Sequence, residues 1–419
     1  MYIKRKIEAE IKKYLHTREI LALVGPRQSG KTTVLDKIFR EIEKKKEVKC
    51  TFISFEDRDA LKLFDEDIKN FAETYVKTND FLFIDEFQYA KEGGKNLKYL
   101  FDTFDTKIII SGSSAIDLTI KVLKFLVGRV FILEMQPFNF EEFLLAKDKN
   151  YHRVYLDNKI DFLGDGGNSV DKLTLSQKKV LRDYFEEYAI WGGYPRVVLA
   201  KDRSEKEIVL KNIYNTYFLR EVQTMIDIAD DHQLEKIIKL LGLQIGNLVE
   251  YDNLSHDAGI SFVTIKKYIN FLEKTYICKL VKPFYKNKRK EIVKIPKVFF
   301  FDAGLRNVVV NDFRLFNERV DAGELLENAV WMQLNRQGID TQYWRDKSKN
   351  EVDFIFELKQ QEVIAMEIKK NIQRCKKYPT TFVNDYGKVK KYCGYLDVVG
   401  KVEDKKDNSG VSRAFVALV

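Results

Sequence analysis

Apolar residues gather along this chain in two rhythms. Five short runs come first: ILALV (20–24), CTFISF (50–55), FLFID (81–85), KIIISG (107–112) and VFILEM (130–135). Each is apolar at nearly every position, the pattern of strands buried on both faces of a parallel sheet. Past PFNFEEFL (137–144) the spacing becomes helical: text from Leu175, HQLEKIIKLLGLQIGN (232–247), DNLSHDAG (252–259) and ISFVTIKKYINFLEKTYI (260–277). In the last of these, Val263, Tyr268, Phe271 and Leu272 fall on one helical face. KLVKPFY (279–285) and KVFFFD (297–302) then read as strands, and GELLENAVWMQLNRQG (323–338) as an amphipathic helix.

The final pair of strands is written oddly. In NEVDFIFELKQQEVIAMEIK (350–369) charges interrupt two apolar runs. Side chains alternate across a strand, so Glu351, Asp353 and Ile355 share one face, and Glu367 and Lys369 share another. A hairpin turning at Lys359-Gln360-Gln361 sets Asp353 opposite Glu367. Two facing carboxylates repel and are costly to bury, so something must compensate them.

The most specific motif is GPRQSGKTT, which follows strand 20–24 and precedes a helix. G-x-x-x-x-G-K-[ST] in that context is a P-loop. Its nine residues, Gly25, Pro26, Arg27, Gln28, Ser29, Gly30, Lys31, Thr32 and Thr33, are the expected ATP contacts. The glycines let backbone N–H groups face phosphate at a helix N-terminus; Lys31 reaches the β- and γ-phosphates and Thr32 binds Mg²⁺. Asp85 closes strand FLFID, at the carboxyl edge where open α/β sheets bind ligands, and is the second expected Mg²⁺ residue. Glu86 beside it is placed to activate water.

Composition adds bounds. A net charge of +9 and a pI near 9.0 suit a nucleic-acid partner without requiring one, because lysine is spread along the whole chain. Lys266 and Lys267 on the third helix, with Lys286, Lys288, Arg289 and Lys290 between the two strands, are the expected phosphate contacts. The alternative is a solvated hairpin tip. Cys50, Cys278, Cys375 and Cys393 form no CxxC pair and no disulfide framework, which suits a reducing compartment. The first residues are a charged amphipathic helix, and no run approaches the roughly 18 apolar residues of a membrane span. The expectation is a cytoplasmic protein. GDGGNS (164–169) reads as part of an insertion, and Arg196 in WGGYPRVV as a candidate nucleotide sensor.

These motifs carry three resemblances. A strand between the P-loop and the acidic strand, with glutamate beside aspartate, resembles the additional-strand ATPases. By the same resemblance to AAA+ proteins, Ser111 or Ser113 stands where a γ-phosphate sensor sits. Arg129, after a helix over 115–126 and before the fifth strand, stands where an arginine finger completes a neighbouring subunit's site; this implies a homo-oligomer, and a local carboxylate pair is the other reading. The order of three helices and two strands is a winged helix-turn-helix pattern. Glu327 on a helix, Asp353 on a strand and Glu-x-Lys at 367–369 resemble the PD-(D/E)XK nuclease core, which implies that Asp353 and Glu367 bind Mg²⁺ with Glu327 beside them while Lys369 assists a metal-bound water. A salt bridge between Lys369 and Glu367 or Asp353 is the alternative.

Through GPRQSGKTT, IDEFQ, SGSSA, the Gly128-Arg129 pair, PFNFEEFL, GGYP, EVDFIF and MEIK, the chain resembles a prokaryotic, largely archaeal family of AAA+-type ATPases. Members carry a winged helix and a C-terminal nuclease-like domain of unknown function. The implied architecture is an additional-strand P-loop core over 1–145, an insertion and helical lid over 146–230, a winged helix over 231–310 and a restriction-endonuclease-like α/β domain over 311–419. The implied activity is ATP hydrolysis coupled to action on nucleic acid; a nucleotide-gated switch that binds without cutting is the alternative.

Overall fold

The computed structural model describes residues 2–45, 47–112, 125–160, 173–218, 231–285, 287, 289, 291, 294–358, 362–375, 378–386, 389–397 and 411–419. It divides into two compact units, one of residues 1–138 with 274–276 and one of the remainder.

The first unit is built on five parallel strands: β1 (Ile20–Val24), β2 (Cys50–Ser54), β3 (Phe81–Asp85), β4 (Lys107–Gly112) and β5 (Val130–Glu134), in the order β2-β3-β4-β1-β5. All five expected strands are present, and β4 stands between the P-loop strand and the acidic strand. Helices cover both faces because both faces are apolar. Ile20, Ala22 and Val24 pack with Phe64 and Phe71 from helices Arg58–Glu66 and Ile68–Tyr75. The alternate residues Leu21 and Leu23 pack with Val34, Leu35 and Ile38 of helix Lys31–Glu43.

The second unit begins with helices, among them Phe140–Lys147 and Leu175–Trp191, each opened by a capping box (Asn139 with Glu142, Thr174 with Gln177). Helices Asp231–Leu243, Tyr251–Ala258 and Phe262–Lys274 then precede an antiparallel pair, β6 (Cys278–Val281) and β7 (Lys297–Phe300). The order of three helices and two strands is as expected. The face is not: Tyr268, Phe271 and Leu272 are buried, whereas Val263 is 62 % exposed. It lies in the first helical turn, before the buried stripe begins at Ile265.

The last sheet runs β12-β11-β10-β9-β8, with β8 (Gln342–Arg345), β9 (Glu351–Glu357), β10 (Val363–Asn371), β11 (Lys390–Asp397) and β12 (Val411–Phe415). β8, β9 and β10 form an antiparallel meander, and β11 and β12 join in parallel. β7 packs against the elements that follow it in the same unit. Phe299 of β7 stacks on Trp331 of helix Ala322–Arg336 at 5.6 Å and meets Phe354 of β9 at 5.6 Å. The turn WGGYP is bound to the same unit: Gly192 has φ +74°, a Cβ there would lie 2.0 Å from Asp302 Oδ1, and Gly193 N–H donates to Asp302 at 2.7 Å.

One expectation is overturned outright. Cys375 and Cys393 form a disulfide, with Cα atoms 5.8 Å apart across 18 positions of chain. Neither spacing nor motif announces it; the parallel pairing of β10 with β11 brings Cys393 alongside the segment that leaves β10. Cys50 and Cys278 are free. Among the described residues, no helix is long and apolar enough to cross a membrane.

Candidate functional site

At the carboxyl edge of the first sheet the P-loop leaves β1 through Gly25, whose φ is +152° and whose missing Cβ would lie 2.1 Å from the Met135 carbonyl oxygen. Only glycine fits there. Gly30, at φ +98°, caps the helix that Lys31 begins. Lys31 is buried and its ammonium donates to the carbonyls of Gly25 and Pro26, both at 2.9 Å, so the charge is folded over the loop it serves. Ser29 Oγ is buried without a hydrogen-bond partner.

Asp85 is the centre of the site. Thr32 Oγ1 donates to one of its oxygens at 2.7 Å, and Ser111, fully buried at the end of β4, donates to the other. β4 is β3's neighbour, which is why a serine at its end reaches the aspartate. Sequence spacing left Ser111 and Ser113 as alternatives; the structure brings Ser111 to Asp85, and Ser113 lies outside the described residues, as does most of the expected helix 115–126. Glu86 adopts φ +54° and accepts a hydrogen bond from Gln88. A non-glycine residue in the left-handed region is uncommon and clusters at functional sites. These residues fit a magnesium nucleotide: a carboxylate held by two neutral hydroxyls, a lysine and a curled glycine loop at a helix start.

Arg129 is engaged inside its own unit. Its Nε lies 3.0 Å from Asp102 Oδ1 and its guanidinium 5.8 Å from the Phe101 ring. That is the carboxylate-pair reading of the sequence. Arg196 is exposed on the short helix Pro195–Val198.

The acidic strands form a second centre. The register of β9 and β10 runs to Met366 opposite Phe354, and its next step sets Glu367 against Asp353 as expected; the turn at 359–361 lies outside the described residues. Lys369 Nζ stands 3.5 Å from Asp353 Oδ2 and 3.5 Å from Glu367 Oε2, so those oxygens are no more than 7.0 Å apart. Asp353 also accepts the Ile368 N–H at 2.6 Å. Burial pushes the Glu367 carboxyl up to about 7 against the pull of Lys369. Burial, and then the neighbouring Asp353, hold Glu327 well above the usual carboxylate range.

What the sequence reading missed is Lys297. It opens β7, is 2 % exposed, pairs with Glu351, and lies 3.7 Å from Glu327. Burial alone would lower its pKa, but Glu327, Glu351 and Asp353 outweigh that and raise it. The available signal was a lone lysine beginning the apolar strand KVFFF, on the same face as Phe299. Glu327 and Glu351 thus flank Lys297, while Asp353 and Glu367 flank Lys369. Among the described residues, no three His, Cys, Asp or Glu side chains are grouped so as to hold a metal ion, and two lysines stand among the carboxylates.

Of the six basic residues expected to meet nucleic acid, Lys266, Lys267 and Arg289 are exposed. Lys266 stands 4.4 Å over the ring of the half-exposed Phe262. Lys286, Lys288 and Lys290 lie outside the described residues.

Comparison with known proteins matches three segments of the chain. Residues 17–144 match the family model of an AAA domain, 182–315 a domain of unknown function (DUF8612) and 322–412 another domain of unknown function (DUF4143). The first unit thus has the α/β P-loop fold of the AAA type. An uncharacterized protein of Haemophilus influenzae is 29 % identical over 286 residues, 66 % of this chain and 62 % of the relative's own length. An uncharacterized protein of Methanocaldococcus jannaschii is 25 % identical over 371 residues, covering 86 % of this chain and 77 % of that one. Among solved structures, the replication initiator DnaA bound to AMPPCP and single-stranded DNA overlaps 65 % of this chain and 90 % of its own at 15 % identity, with a TM-score of 0.30.

Proposed function

We propose that the chain hydrolyses ATP at its P-loop and uses the nucleotide state to control a nuclease-like C-terminal domain that engages nucleic acid. The observation that carries this is Asp85, held between the hydroxyls of Thr32 and Ser111 at the mouth of a P-loop. Lys31 carries the β- and γ-phosphates when it leaves the Gly25 and Pro26 carbonyls, and the loop's N–H groups cradle them. Thr32 and Asp85 would hold Mg²⁺, and the ion would supply positive charge to offset the negative charge on the transferred phosphoryl group. Glu86 takes the proton of the attacking water, and Gln88 orients it. The three helices with β6 and β7 serve as a winged helix, with Lys266, Lys267 and Arg289 along phosphates.

A second reading is favoured by the acidic centre. Carboxylates already paired with Lys297 and Lys369 suit a domain that binds nucleic acid without cutting it. One experiment addresses both: phosphate release and cleavage of labelled DNA and RNA, each with and without ATP, Mg²⁺ and Mn²⁺. ATP turnover lost in Glu86→Gln supports the proposal; turnover at the wild-type rate in that variant overturns it. Cleavage abolished by Asp353→Asn identifies the domain as a nuclease, and binding without cleavage selects the second reading.

A further inference from the structure

Glu327, Glu351, Asp353 and Glu367 of the second unit, from one helix and two strands, are each held by a cation, and among the described residues no three of them are grouped so as to hold a metal ion. Opposite them stand Lys369, Lys297 and, at 3.2 Å from Glu351, Arg345. The two lysines differ. The Lys369 side chain is 31 % exposed and pairs with Asp353 and Glu367; the Lys297 side chain is 3 % exposed and comes from a different part of the chain, the strand that closes the β6–β7 pair.

Lys297 is fixed from several sides. Its backbone pairs with Val281 in β6 and bridges to Leu248. Three residues on, the N–H of Phe300 donates to Asn328 Oδ1 at 2.7 Å and its carbonyl accepts from Asn328 Nδ2 at 3.2 Å. Asn328 is fully buried and adjoins Glu327, so this bracket sets Lys297 beside Glu327. The Tyr343 ring lies 5.6 Å from the ammonium on another side. A buried lysine is expensive unless it is paired. Here the fold has built it a place among acids.

We infer that Lys297 is a built-in counter-ion occupying the cation position of the acidic centre, and that its contact with Glu327 and Glu351 keeps divalent-metal affinity low. The inference rests on reading this centre as nuclease-like. An ammonium and a divalent ion compete for the same carboxylate oxygens, and both cannot occupy one position. Breaking the Lys297 contact therefore opens the centre to metal. The strand that carries Lys297 belongs to the segment proposed to meet nucleic acid, so one residue links that segment to the acidic centre.

The test is a Mn²⁺ titration of the full chain followed by electron paramagnetic resonance, without nucleotide and with Asp85→Asn throughout to silence the P-loop site. Lys297→Met, apolar and of similar length, should bind Mn²⁺ at least tenfold tighter than the parent. Lys297→Arg should restore the low affinity, and adding Asp353→Asn to Lys297→Met should abolish the gain. Should Lys297→Met fail to fold, Lys297→Gln carries the same expectation. Asp353-dependent binding that is equal in parent, Met and Gln proteins overturns the role of Lys297 alone. Absence of Asp353-dependent Mn²⁺ binding in every protein overturns both this inference and the nuclease-like reading beneath it.

Discussion

At the end of β3, Asp85 is met by two hydroxyls; on β9 and β10, Asp353 and Glu367 are met by an ammonium. Both arrangements satisfy carboxylates withdrawn from water, but they leave different charges behind. Hydroxyl donors stabilise Asp85 and leave its full negative charge for an incoming cation. Lysine neutralises its partners, and the pair is costly to break and already compensated. The first centre keeps a carboxylate charge that its two hydroxyl partners do not offset, as the proposed magnesium site requires, and the second has supplied its own cations. Acidic residues at motif spacing thus mean different things according to the charge of what touches them.

The largest expected effect separates chemistry from binding at the first centre. Glu86→Gln removes the carboxylate proposed to activate water and leaves Lys31, Thr32 and Asp85 in place. ATP turnover should fall by about 10²- to 10⁴-fold while nucleotide binding, read by fluorescence of a labelled ATP analogue, stays within a few-fold. Equal losses of both would show that Glu86 shapes the loop.

Next comes the disulfide, which belongs to the second centre's sheet; β11's Cys393 is the register partner of β10's Glu367. Cross-linking a loop of this size contributes about 3 kcal/mol. Reduction, or Cys393→Ser, should lower the unfolding midpoint of the second unit while leaving the first, where Cys50 is free, unchanged. Mass spectrometry with thiol alkylation confirms the bond; a reduced protein of unaltered stability would remove it from the account.

A smaller effect addresses the comparison itself. Asp85→Asn keeps a carbonyl oxygen for Thr32 and an amide for Ser111, so its stability cost should stay under about 1 kcal/mol. Asp353→Asn leaves Lys369 with only Glu367 and weakens the acceptor for the Ile368 N–H, so about 1–3 kcal/mol should be lost. Denaturant unfolding of the two variants measures the difference. Equal costs would mean that the two centres are compensated alike.

How far the sequence reached follows the same line. The five buried strands were legible because each is apolar at nearly every position, and the P-loop because its glycines answer a local backbone need. Register was legible too: alternation and a short turn put Asp353 against Glu367. Lys297 was not, because its meaning depends on Asn328 bracketing Phe300, a contact between elements that no period records. The disulfide was hidden for the same reason, since a parallel strand pairing across a helix joins Cys375 to Cys393. That Ser111 reaches Asp85 also needed the sheet order, which makes β4 the neighbour of β3.

The smallest expected effect concerns Arg129. Motif position assigns it to a neighbour's active site, and the structure gives it to Asp102 at 3.0 Å with Phe101 beneath. The two side chains are 34 % and 43 % exposed, so solvent screens the pair and the attraction contributes under about 1 kcal/mol. Arg129→Ala should therefore shift the unfolding midpoint of the first unit only slightly and leave ATP turnover within twofold. An arginine reaching a neighbour's phosphate behaves otherwise: its loss costs about 10³-fold or more in turnover, and mixing Arg129→Ala with Lys31→Ala restores activity that neither has alone. Measuring turnover of each variant and of the mixture over a range of protein concentrations decides between them. Rescue in the mixture would place Arg129 in a shared site and make the Asp102 pair a resting position of the free subunit.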